Sequence, residues 1–140
     1  MVKSDSLVAA VRVRGTVKVR WNIAKTLNRL RLRHVNNLVL LKPTESIMGM
    51  LQNCKDFITF GEVDKETLSA LAAKASDKAD DAKLVELLLN GEKAPAELIK
   101  MPIRLHPPRH GYEGIKKGFS QGGSLGYRGE KINKLINRML

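Results

Sequence analysis

The sequence predicts a compact mixed fold, α/β or α+β, on three observations. Strand-like and helix-like segments alternate as β-α-β-α-β within the first sixty or so residues. A chain of 140 residues with 43% hydrophobic residues can bury one ordinary core. After that unit the pattern changes twice, to helical at Glu62 and to Pro- and Gly-rich at Met101. The expected organisation is a core over 1–61, an added helical segment over 62–100 and an extended basic tail over 101–140. No internal repeat is present.

In chain order, Leu7–Arg14 reads as a strand with Leu7, Ala9, Val11 and Val13 on one face, broken by Gly15-Thr16. A helix follows from about Lys18 to Leu30, with Ile23, Leu27 and Leu30 on one side. Asn36-Asn37 signals a turn, and Leu38–Lys42 a short buried strand. Thr44 is placed to cap a helix over Glu45–Cys54 in which Ile47, Leu51 and Cys54 keep helical spacing. Phe57–Phe60 reads as the third strand, ended by Gly61.

Asp64 can cap the next helix, whose stripe is Leu68, Leu71, Ala72 and Ala75. Two shorter helices are expected at Ala82–Leu89, stopped by Asn90-Gly91, and at Ala94–Lys100. Pro102, Pro107 and Pro108 then force extended backbone. The glycine-rich stretch 110–131 cannot form a core by itself. The last helix, Glu130–Leu140, carries an apolar stripe of Ile132, Leu135, Ile136 and Met139 and a basic one of Lys131, Lys134 and Arg138.

Charge points to a partner. Net charge is +11, with a pI near 10.0. Residues 1–61 hold eleven Lys/Arg against three acids; residues 62–98 hold five against nine; residues 99–140 hold nine against two. Two basic blocks therefore flank an acidic one, and the acidic segment is expected to stay off RNA. The stretch Val17–Asn37 has no acid at all. A solvated helix ordinarily mixes signs, because oppositely charged pairs four apart stabilise it. A one-signed face instead matches nucleic-acid phosphate. Lys18, Asn22, Lys25, Arg29 and Arg33 share that face if the helix runs so far. The tail interleaves basic residues with Tyr112, Phe119 and Tyr127, a composition suited to phosphates and exposed bases. It is expected to order on RNA.

Other chemistries lack residues. Cys54 is the one cysteine, so no internal disulfide forms and a reducing compartment fits. It reads as a small core residue. His106 and His110 are four apart, but the prolines between them exclude the helical pairing used for metals. Gly118 and Gly123 have phosphate-loop separation, yet Ser124 stands where the lysine belongs. No spacing suggests a nucleophile elbow or triad. No cofactor, metal, catalytic residue or small-molecule substrate is expected. The start of the chain does not read as a signal peptide, and no apolar run approaches a membrane span. Cytoplasmic location without a membrane partner follows as the expectation. Trp21 is expected to pack at the start of the basic helix rather than stack on a base.

The stretch KVRWNIAKTLNRLRLRHVNNLVLLKPTESIMGML, the FITFGEVDKETL after it, and the closing RLHPPRHGYEGIKKGFSQGGSLGYRGEKINKLINRML resemble ribosomal protein L thirty of the large subunit. The first sixty residues resemble the core common to all forms. The remainder resembles the long archaeal form, related to the eukaryotic protein usually numbered seven. The resemblance implies an α+β fold with a three-stranded antiparallel sheet, ferredoxin-like, and both core helices on one face. It implies a structural role on large-subunit ribosomal RNA, proximity to the smaller 5S-type RNA, neighbouring ribosomal proteins and no catalysis.

The resemblance does not single out contact residues, so the expected RNA-binding set rests on charge and placement. From the first block it comprises Arg12, Arg14, Lys18, Arg20, Asn22, Lys25, Arg29, Arg31, Arg33 and His34. From the second it comprises Arg104, His106, Arg109, His110, Tyr112, Lys116, Lys117, Tyr127, Arg128 and Lys131. Two other classes compete with this reading. One is a DNA-binding or regulatory module, for which no helix-turn-helix signal is found. The other is a small acyl-phosphatase-like enzyme, for which Arg20 and Asn22 are available but nothing in the sequence positions them.

Overall fold

The structure is a computed structural model. It describes residues 7–15, 17, 19–42, 44–75, 103–109, 111–112, 114 and 117–139, without the side chains of 72, 73 and 75. The helices expected at Ala82–Leu89 and Ala94–Lys100 lie outside the described residues.

Strand β1 (Val8–Arg12) is the centre of a sheet. Strands β2 (Asn37–Leu41) and β3 (Ile58–Glu62) flank it, both antiparallel, with Ala10 opposite Val39 on one side and Phe60 on the other. These are the three strands legible in the sequence, shifted by a residue or two. Helix α1 (Trp21–Arg29) connects the first pair, and α2 (Glu45–Asn53) leads into β3. Thr44 caps α2 as expected, its Oγ1 accepting from Ile47 N at 3.2 Å. Helix α3 (Lys65–Ala75) follows, with Leu68 and Leu71 buried in the core.

The sheet does not stop at three strands. The tail adds β4 (Ile103–Arg104), antiparallel to β2, and β5 (Gly126–Tyr127), parallel to β3. The order is β4-β2-β1-β3-β5.

Every residue of β1 is buried, whereas a sheet with one wet face would show alternation. Both faces are therefore covered. Pleat and register put Val8, Ala10 and Arg12 on one face with Val39, Ile58 and Phe60, and put Ala9 and Val11 on the other with Leu38, Leu40, Thr59 and Gly61. The first face carries α1, because the Arg12 side chain reaches carbonyls just beyond that helix. The second carries the terminal helix α4 (Ile132–Met139). A Cβ at Gly61 would overlap the Gly129 carbonyl oxygen and press on Ile132, so only glycine lets the helix approach so closely.

Helix α4 buries Ile132, Leu135, Ile136 and Met139, the stripe read from the sequence. Buried Asn133 anchors it. Its Oδ1 accepts from Asp64 N at 2.9 Å, and its Nδ2 donates to the Glu62 and Glu130 carbonyls. The strap after β4 meets the end of this helix, with His106 N and Arg109 N donating to the Met139 and Arg138 carbonyls.

The tail reaches further into the fold than its stripe alone indicates. Ile103 and Leu105 join the same core cluster as the α4 stripe, and this C-terminal segment supplies cover for the second face of the sheet. The tail is too poor in apolar residues to make a core, but it needs only to complete one nucleated elsewhere.

Candidate nucleic-acid interface

The basic stretch after β1 is shaped by how α1 ends. Leu32 N donates to the Leu27 carbonyl at 2.9 Å, and Arg31 N to the Asn28 carbonyl at 3.0 Å. Arg31 sits between them with φ 63°, a left-handed position usually given to glycine. Leu27 and Leu32 are both fully buried across this turn. The helix therefore stops at Arg29, and Arg33 does not continue the face of Lys25 and Arg29, as the sequence spacing suggested. Arg20, Asn22, Lys25, Arg29, Arg31, Arg33 and His34 are all exposed. Arg14 is half-buried, its guanidinium 5.2 Å from the Phe57 ring centre. Asn22 Oδ1 accepts from Ile23 N at 2.9 Å in the first turn of the helix.

Arg12 must leave the interface set. It is only 3% exposed. Its Nη1 donates to the Leu32 and Arg33 carbonyls at 2.7 and 3.1 Å, its Nε to Arg14 O at 2.9 Å, and its Nη2 to Gly15 O at 3.1 Å. Alternation explains the error: a charged residue at the end of a central strand still points into a covered face. Burial lowers the Arg12 pKa, with nearby Cys54 opposing the shift. Burial likewise pushes the Cys54 thiol up to about 11, against the pull of Arg12. Cys54 is a core residue, as its helical spacing suggested, and its thiol stays protonated at neutral pH.

In the second block, Arg104, His106, Arg109, Lys117 and Lys131 are exposed. Tyr112 and Arg128 are half-buried and make contacts within the fold. The half-buried Tyr112 donates its hydroxyl to Asn36 Oδ1 at 2.7 Å, and burial pushes its pKa up to about 12 against nearby Arg128 and Arg138. Arg128 donates from Nε to Thr59 Oγ1 at 2.9 Å and from Nη2 to Ser124 O at 2.8 Å, with its guanidinium 4.9 Å from the Phe119 ring centre. Lys131 Nζ lies 5.3 Å from the same ring. Tyr127 packs on Phe60, ring centres 5.6 Å apart, and donates to Glu62 Oε1 at 3.1 Å. Burial, then the Glu62 hydrogen bond, raises its pKa. The residue stays 38% exposed. Lys18, His110 and Lys116 lie outside the described residues.

Topology brings the two basic blocks together. β1 ends where β2 and β3 begin, since Val11 pairs with Leu38 and Arg12 with Ile58. β4 ends at Arg104 beside Asn37, and β5 starts beside Thr59. One end of the sheet therefore gathers the Arg14 segment, the Arg31–His34 turn, the Lys55 turn, the Arg104–Arg109 strap and the Lys117 loop. Asp56 is the acid in the Lys55 turn. The sequence reading missed Lys55, a single cation beside an acid in a short turn. With Asp56, Phe119, Gln121 and Tyr127 it borders a cleft of about 320 Å³.

Trp21 is a second miss. Expected to pack, it is 77% exposed. Among the described residues, no cluster of metal-ligating side chains forms, and no helix is long and apolar enough to cross a membrane.

Residues 8–58, from β1 to the start of β3, match the family described as Ribosomal protein L30p/L7e. Large ribosomal subunit protein uL30 of Methanococcus vannielii is 47% identical over an alignment covering 94% of this chain and 98% of that protein. The same-named proteins of Methanoculleus marisnigri and Nanoarchaeum equitans are 41% and 44% identical, covering 95% and 96% of this chain and 99% of each relative. At such identity over nearly the whole length, the chain belongs to the ribosomal protein L30p/L7e family.

Proposed function

We propose that this protein is a structural constituent of the large ribosomal subunit in the cytoplasm and binds ribosomal RNA without catalysing a reaction. The observation that carries the RNA-binding mode is the convergence of both basic blocks at one end of the sheet. There, exposed Arg31, Arg33, Arg104, Arg109 and Lys117 approach from segments far apart in sequence. Lys25 and Arg29 extend the same charge along α1. Such a surface neutralises phosphates and reads the shape of folded RNA. Ribosomal proteins are its further neighbours, and the smaller 5S-type RNA is within the range of partners this surface suits. An acyl-phosphatase reading has no positive observation behind it: Arg20 and Asn22 are both exposed at the start of α1.

The test is binding of the full-length chain to protein-free large-subunit RNA across a salt series. Changing Lys25, Arg29, Arg31 and Arg33 to Ala is expected to weaken binding. The salt dependence should flatten by roughly one counterion for each phosphate that the variant no longer neutralises. An unchanged slope would remove this surface from the interface.

A further inference from the structure

We infer that Trp21 is a stacking platform for an unpaired ribosomal RNA nucleotide, with Lys25 and Arg20 placed for that nucleotide's phosphates. The inference rests on the RNA-binding reading above and assigns one site within it.

Trp21 opens α1 and leaves 77% of its surface to solvent, although it is the largest apolar side chain in the protein. Val17, four residues earlier, is 83% exposed. A tryptophan so placed contributes nothing to the core and exposes surface that a solitary domain would cover. Its surroundings distinguish between partners. Lys25, one helical turn on, places Nζ 5.9 Å from the ring centre and so steadies the indole from one side. Arg20 and Asn22 are exposed on either side of it in sequence. No acid occurs anywhere from Val13 to Lys42.

An apolar pocket on another protein would have to strip water from Lys25 and Arg20 in order to reach the ring. A nucleotide meets both demands at once, since its base offers a π-face to the indole and its phosphate accepts from the cations. An unstacked base in a loop or bulge is the form in which RNA presents that face.

The experiment uses the full-length protein and protein-free large-subunit RNA. Trp21 is the sole tryptophan, so its emission reports on this site alone. Emission is expected to fall on RNA addition. Trp21→Ala is expected to weaken binding on the order of tenfold with the salt slope unchanged, because stacking releases no counterions. Trp21→Phe should recover most of that affinity, and Lys25→Ala should lower the slope. Since Trp21 is exposed, circular dichroism should show the variants folded. Unaltered emission together with unaltered Trp21→Ala affinity, while RNA still binds, would overturn the inference and leave the general reading standing. Loss of subunit incorporation by Trp21→Ala without loss of RNA affinity would overturn it in favour of a protein neighbour. Failure of the unmodified protein to bind RNA at all would overturn the reading on which it rests.

Discussion

Arg12 Nη1 donates to the Leu32 carbonyl oxygen at 2.7 Å, tying the end of the central strand to the turn that closes the basic helix. The same guanidinium serves three more carbonyls. It acts as a buried cross-brace that shapes the backbone carrying Arg31 and Arg33. Arg12→Ala would strand those acceptors and is expected to cost about 3 kcal/mol of stability, read from chemical denaturation. Below its melting temperature the variant should keep the RNA salt slope of the unmodified protein. A reduced slope would mean that Arg12 touches phosphate after all.

Gly61 is the second pressure point. Gly61→Ala would push the Gly129 carbonyl and Ile132 away from the sheet. Overpacking of this kind costs about 1–3 kcal/mol. The urea midpoint should fall accordingly, and a midpoint equal to that of the unmodified protein would show that α4 is not held against β3 as closely as the geometry indicates.

Removing residues 109–140 should do far more. It takes away Ile132, Leu135, Ile136 and Met139, each worth about 1.5–3 kcal/mol when buried. Their sum is comparable with the whole stability of a typical domain, about 5–15 kcal/mol. The remaining chain is expected to lose its cooperative thermal transition in circular dichroism. A sharp, native-like transition would show that residues 1–108 fold without the C-terminal cover.

Stability should decline in alkali. Cys54 and Tyr112 both have pKa values raised by burial, to about 11 and about 12, from 9.0 and 10.0. Each is neutral when protonated, so the unfolded chain gives up these protons first. Their stabilising effect is complete below pH 9 and is lost as pH rises through the folded values, by on the order of 1–2 kcal/mol each. Denaturation midpoints measured from pH 8 to 12 check this. Tyr112→Phe should remove the part of the decline that begins near pH 10.

Local residue order was enough to specify the β-α-β-α-β succession, the Thr44 cap, the apolar stripe of α4 and the one-signed charge of Val13–Lys42. Each of these follows from residue type and from spacing within a few turns of chain. Long-range packing settled which charges remain outside and what covers the sheet. Arg12 and Arg14 are two apart in sequence, yet Arg12 is sealed under four carbonyls because the end of β1 lies beneath α1. Trp21 stays outside although its size argues for burial, since the apolar side of α1 that packs is the one bearing Leu27. The tail reads as loose because it holds few apolar residues per length. Ile103, Leu105 and the α4 stripe become core only because β2 and β3, many residues earlier, leave a face and two edges open to them. Pairings of that range depend on loop closure and on mutual burial, and neither is written in local spacing.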